Sequence, residues 1–198
     1  LVVKEGQHRL AIAEKLGLPV FYVESQSDFD VARINTTPIN WIPRDYAQKH
    51  ANNGLKSYQE GLQFIEQFGL PVGIGFSLLA GTIGFTNIKD QFENGTFKIK
   101  DKAWAVTVAS VYTSLIRLSP AVRSTRLIEA VMAVCRVPSF DASRLLRGAE
   151  RCREKLVPYS TKEAYLDMLE SIYNHHRQQL VSLKNEAIMA MRERNGSS

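Results

Sequence analysis

LVVKEGQHRLAIAEKLGLPVFYVE, residues 1–24, is the stretch on which the fold turns. Leu1 to Val3 is a short apolar run, and Gly6-Gln7-His8-Arg9 follows it. Leu10, Ala13 and Gly17 then fall on one helical face, and Gly17-Leu18-Pro19 ends the segment with glycine at the C-cap and proline just beyond. Val20 to Val23 reads as a second strand, so the predicted order is strand, tight turn, helix, strand. A glycine and three polar residues opening a helix after a strand are well placed to meet an anion. Unpaired backbone N–H groups and the helix dipole both point there, and phosphate is the natural candidate. A βα unit alone cannot bury both faces of its sheet, so further strands upstream of Leu1 belong to this expectation.

Beyond Asn35 the pattern becomes helical. TTPINWIPRDY marks a turn leading into a helix that begins near Pro43, and Asn53-Gly54 separates it from a second helix over Ser57 to Phe68. Tyr58, Leu62, Ile65 and Phe68 keep the three- and four-residue spacing of an amphipathic face. GLPVGIGFSLLAGT, residues 69–82, reads as a short apolar helix bounded by glycines. With IKDQFENGTFKI after it, the segment suits a helix-turn-helix, although Lys89 is the one positive charge between Asn87 and Phe92. Asn94-Gly95, flanked by Phe92 and Phe97, equally suits a small hairpin. Helices are expected over Ala103 to Leu118, Ser124 to Arg136, Asp141 to Lys155 and Thr161 to Arg194, with prolines at three boundaries. Ser139 with Asp141, and Ser160-Thr161 before Glu163, supply N-cap chemistry. The last helix is long enough to extend past the body of the domain and dimerise.

The 198-residue chain carries a formal net charge of +5, and that charge is unevenly distributed. Residues 1–116 hold eleven Lys/Arg against eleven Asp/Glu, whereas residues 117–198 hold fourteen against nine. Arg144, Arg147, Arg151 and Lys155 recur at three- and four-residue spacing, the signature of a basic helical stripe suited to a polyanion. All three arginines are expected to stay exposed on one face, where the bland alternative is a solvated helix surface. No apolar run approaches the roughly 20 residues of a membrane span, and no signal pattern opens the chain, so a cytoplasmic location without membrane contact is expected. Cys135 and Cys152 lack zinc or disulfide spacing and read as buried thiols. His175-His176, adjacent on a helix, point in different directions and do not make a metal site. Ser77 and Ser110 sit in no nucleophile motif.

The first box, EGQHRLAIAEKLGLPVFYV, resembles the DGQHR-type box of ParB-like proteins, a superfamily that includes sulfiredoxin. ARINTTPINWIPRDYAQKHANNGLKSYQEGLQFIEQFGLP continues the likeness to ParB-like proteins of phages, plasmids and other mobile elements, and the resemblance covers residues 1 to about 100. It implies a strand-turn-helix box that binds nucleotide phosphates, CTP or ATP with Mg²⁺, and a helix-turn-helix that binds DNA. In those terms Gly6 is similar to the glycine that lets backbone approach phosphate, Arg9 to the arginine that neutralises it, and His8 to the histidine of sulfiredoxin's box. Gln7 stands where partitioning proteins have glutamate and sulfiredoxin its reactive cysteine, which excludes sulfinic-acid reduction. Asn35 resembles the asparagine of the ENxxR motif, but Pro38 occupies its arginine position, so nucleotide binding without efficient turnover is the expectation.

The fold class expected is therefore α+β: predominantly α-helical, with a small N-terminal βαβ remnant of ParB/sulfiredoxin type and a C-terminal helical bundle. The expected division is residues 1–40 for the partial nucleotide-box domain, 41–102 for a helical segment with the helix-turn-helix, and 103–198 for the C-terminal helical domain. The function expected is DNA binding, switched by a nucleotide at Gly6, Gln7, His8, Arg9 and Asn35, with Arg144, Arg147, Arg151 and Lys155 facing nucleic acid. One alternative is a nuclease or nucleotide hydrolase in which Asp28, Asp30 or Asp45 recruits Mg²⁺. A helical interaction protein that forms a homodimer through its last helix is another. Arg9 has a purely structural alternative as well, an ion pair with Glu5 or Asp45.

Overall fold

The computed structural model describes residues 3, 6–22, 41–176 and 178–195, with side chains through residue 190. The chain divides into two units, Leu1–Ile42 and Pro43–Ser198.

In the first unit, α1 spans Gln7–Leu16. Gly6 starts it in the left-handed conformation, φ 80°, which an L side chain rarely adopts. Gly17 ends it, also left-handed, with the Gly17 and Leu18 N–H groups donating to the Glu14 and Ala13 carbonyls at 3.3 and 2.9 Å. That double closure is a Schellman motif. No residue of α1 is buried, and Val20, Phe21 and Tyr22 beyond it are exposed, Phe21 almost completely.

The α+β expectation is overturned here. The described residues are helical with no strand and no sheet, so the βαβ remnant is absent among them. Val20 to Tyr22 have the apolar, β-favouring side chains of a strand, but a strand exists only when its N–H and C=O groups meet a neighbouring ladder. No described segment supplies one. Val23 and Asn35 lie outside the described residues, as do Leu1 and Val2 of the predicted first strand.

The second unit is helical throughout its described length. Its elements are α2 Pro43–Asn52, α3 Lys56–Phe68, α4 Val72–Leu79, a 3-10 turn Phe85–Ile88, α5 Lys89–Glu93, α6 Lys102–Leu118, α7 Thr125–Val134, α8 Ala142–Arg151, α9 Lys162–Tyr173 and α10 Leu183–Asn195. Local side chains set several starts: Asp101, Ser124, Asp141 and Thr161 each accept a hydrogen bond from the backbone N–H three residues on. The central α6 packs on α3 and α4 and also on α7 and α8, and α9 lies against α7 and α8.

Close approach defines the α3–α4 corner. The two helices meet at 118°, and a Cβ on Gly61 would sit 2.4 Å from Phe76 Cζ, one on Gly75 2.1 Å from Ile65 Cγ2. Phe76 can therefore enter the aromatic cluster it shares with Tyr58, Phe92 and Phe97, ring centroids 4.8–5.8 Å apart. Asn94-Gly95 does form a turn, with Gly95 at φ 78°, but it closes no hairpin. Phe92 and Phe97 on either side of it both plunge into the core instead. Arg136 ties three elements together: it donates to Asp101 Oδ2 at 2.9 Å and to the Gly81 carbonyl at 3.1 Å, and its guanidinium lies 3.5 Å from the centre of the Trp104 ring.

The single long helix expected over Thr161 to Arg194 is two helices. Between them Asn174 acts as a clamp, its Nδ2 donating to the Val181 carbonyl at 2.8 Å and its Oδ1 accepting the Val181 N–H at 2.9 Å. His176 turns the chain with φ 54°. The fold-back lets Leu183 and Ala187 of α10 bury completely against the bundle, with α10 packed on α7 and α9. Burial of that apolar face outweighs the extra turns of ladder an uninterrupted helix would add.

Candidate functional site

The start of α1 presents the Gly6–Arg9 box. Its earliest ladder bond runs from the Leu10 N–H to the Gly6 carbonyl at 2.9 Å, which leaves the Gln7, His8 and Arg9 amides without an acceptor among the described residues. Gln7, His8 and Arg9 are exposed, and no acidic residue occupies the first turn. The space a Cβ on Gly6 would take lies 3.9 Å from Nε and Nη2 of Arg9, so the guanidinium folds back over the left-handed turn. Gln7 anchors the approach by donating from Nε2 to the Val3 carbonyl at 3.1 Å. Bare amides, the positive end of the helix dipole and a guanidinium thus share one small area of surface. Asn35, the fifth residue expected here, lies outside the described residues, as do Asp28 and Asp30.

The basic stripe resolves into residues with different tasks. Arg144 is half-buried rather than exposed: Nε donates to the Tyr173 carbonyl at 2.9 Å, Nη2 to Asn174 Oδ1 at 3.1 Å, and the guanidinium lies 4.0 Å from the centre of the Tyr173 ring. It caps the C-terminal end of α9, where cations are favoured by the dipole. Arg147 is exposed and sits 3.8 Å from Asp141 Oδ2, a long and solvated pair. Arg151 is exposed with no ion-pair partner among the described residues. Helix α8 ends there, so Lys155 is not on the same helix but in a 3-10 turn, Arg153–Lys155, from which Nζ donates to Ser171 Oγ at 3.0 Å.

Four residues of α8, Arg144, Arg147, Gly148 and Arg151, line a recess with Ile172, Tyr173 and His175. Gly148 makes the recess: a Cβ there would lie 2.5 Å from the Ile172 carbonyl oxygen, so only glycine lets α8 and α9 approach this closely. His175, set aside from the sequence as a metal ligand, lines this recess, a place its spacing does not reveal. Desolvation first, and then the neighbouring His176, Lys155 and Arg151, hold its imidazole below the usual histidine value. A glycine inside a basic helix was the available signal. A Gly148→Ala variant should lose about 1–3 kcal/mol to overpacking against a carbonyl that cannot move aside, offset by up to about 1 kcal/mol of helix propensity. A melting temperature at or above wild type would show that the contact relaxes without cost.

The helix-turn-helix expectation meets mixed geometry. The expected segment does open with a helix, α4, and follows it with the Phe85–Ile88 turn and the five-residue α5. Yet α4 is apolar and its last five residues are buried, so it offers no base-reading side chains. The following 3-10 turn and α5 expose Thr86, Asn87, Lys89 and Asp90, a short and nearly neutral polar face.

Of the two thiols expected to be buried, Cys152 is buried and Cys135 is half-buried. Cys152 donates to the Gly148 carbonyl at 2.9 Å, and burial pushes the Cys135 thiol up to about 12. Among the described residues no single helix is long and apolar enough to cross a membrane, and no three His, Cys, Asp or Glu side chains gather as metal ligands. No family model, curated protein or solved structure matches the chain.

Proposed function

We propose that the chain is a ParB-like DNA-binding protein of phage or mobile-element type, which takes a nucleotide phosphate at Gly6–Arg9 and meets the DNA backbone with the outer face of α8. The observation that carries this reading is the start of α1: a left-handed glycine, three amides without acceptors among the described residues and an arginine folded over the same turn. Such a site recognises an oxyanion by backbone donors and charge together, with no catalytic group required. Arg147 and Arg151 add an exposed, like-signed surface suited to phosphates.

Two measurements test the two halves separately. Thermal shift of the protein against CTP, ATP and GTP, with and without Mg²⁺, should show one nucleotide raising the melting temperature, because a ligand that binds only the folded state stabilises it. No shift with any of them at millimolar concentration removes the nucleotide from the reading. For the DNA half, Arg147→Glu with Arg151→Glu should weaken binding and flatten its salt dependence, each lost phosphate contact removing about 0.9 from the log–log slope. Unchanged affinity and slope remove the α8 face.

A further inference from the structure

The recess between α8 and the end of α9 holds more positive charge than the fold uses. Arg144 is consumed by the Tyr173 carbonyl at the end of α9, by Asn174 and by the Tyr173 ring. A helix end attracts cations only over its final turn, which accounts for one guanidinium and not for three. Arg147 has a single carboxylate at 3.8 Å, both side chains remaining largely in water, and Arg151 has none among the described residues. No carboxylate lines the recess. Two spare guanidinium charges therefore face one concavity.

We propose that this recess holds the terminal 5′-phosphate of a nucleic-acid strand, with Arg147 and Arg151 as the charged donors and His175 on the opposite wall; the inference rests on the DNA-binding reading. The shape favours a strand end over an internal phosphate. An internal phosphodiester carries one negative charge and needs room for chain on both sides. A phosphomonoester carries close to two charges at neutral pH and offers three free oxygens to donors arriving from several directions. The recess is walled on one side by two turns of α8 and on the other by Tyr173 and His175. It encloses about 40 Å³, room for a single phosphate group and not for the groove a continuing strand would follow. Guanidinium forks match phosphate oxygens in pairs, which suits Arg better than Lys at both positions.

The test compares one single-stranded oligonucleotide, labelled at its 3′ end, carrying either a 5′-phosphate or a 5′-hydroxyl, by fluorescence anisotropy with the full chain. Wild type should bind the phosphorylated strand about tenfold more tightly, as expected for one charge-assisted contact set. Arg151→Gln and Arg147→Gln should each bring that ratio toward one while the melting temperature holds, since both side chains are exposed. Equal binding of the two strands by wild type overturns the recess inference and leaves DNA binding standing. Binding of neither strand removes the DNA-binding reading. Inorganic phosphate at constant ionic strength then decides the recess: a rise in melting temperature in wild type that Arg151→Gln abolishes supports an oxyanion site, and no rise overturns it.

Discussion

Arg9→Ala is expected to weaken nucleotide binding about ten- to hundredfold, the loss of a charge-assisted contact worth roughly 1.5–3 kcal/mol. It should leave the melting temperature of the free protein nearly unchanged. Both halves of that expectation come from the geometry of α1. The Arg9 side chain is exposed, no carboxylate among the described residues lies within ion-pair distance, and its guanidinium sits over Gly6 beside the unpaired amides. A side chain with this placement contributes little to folding and much to any anion that docks there. An arginine serving only to pair with an acidic neighbour would behave in the opposite way, with a lower melting temperature and unaltered ligand response. Thermal-shift titrations of wild type and variant against the same nucleotide separate the two patterns.

Tyr58→Ala is expected to cost about 3–5 kcal/mol of stability, a drop of on the order of 10 °C in melting temperature for a unit of this size. The ring is fully buried and touches His50, Phe76, Phe92 and Phe97. The hydroxyl is a pin for the Phe92–Phe97 turn: it donates to the Phe92 carbonyl at 2.7 Å and accepts the Phe97 N–H at 3.4 Å. Burial pushes its ionisation above the ordinary tyrosine value, so the proton that makes the Phe92 bond stays in place through neutral pH. Tyr58→Phe isolates the pin from the packing. It keeps the ring but strands a buried carbonyl and N–H, and should cost about 1–3 kcal/mol. A Tyr58→Phe protein as stable as wild type would show that the hydroxyl bonds contribute nothing net.

These results bear on how much of the molecule is legible one residue at a time. The helix after Gly6, its end at Gly17, the breaks at Asn53-Gly54, Ser119-Pro120 and Pro138, and the caps at Asp141 and Thr161 all follow from local chemistry. A left-handed glycine or a capping carboxylate acts within four residues, so sequence spacing is enough to place it. The free amides of Gln7 to Arg9 are legible for the same reason, because they follow from where the helix starts. The strand that the sequence predicts at Val20 to Val23 does not form over Val20 to Tyr22, because β-favouring side chains do not supply a ladder partner. The break at Asn174 was missed because no proline or glycine marks it, and the clamp to Val181 forms only when the chain folds back.

The arginine stripe shows the division most plainly. Spacing alone determined that Arg144, Arg147 and Arg151 share one side of α8, since a helix has a fixed period. Only the arrival of α9 decided that Arg144 becomes a cap for Tyr173 while Arg147 and Arg151 keep their charge toward solvent. The local sequence thus determined the helix starts, stops and faces, which depend on contacts within a turn or two. Tertiary structure decided which charges are spent inside the fold and which remain for a partner, because that depends on segments distant in sequence meeting across Gly148, where the absent side chain allows two backbones to approach.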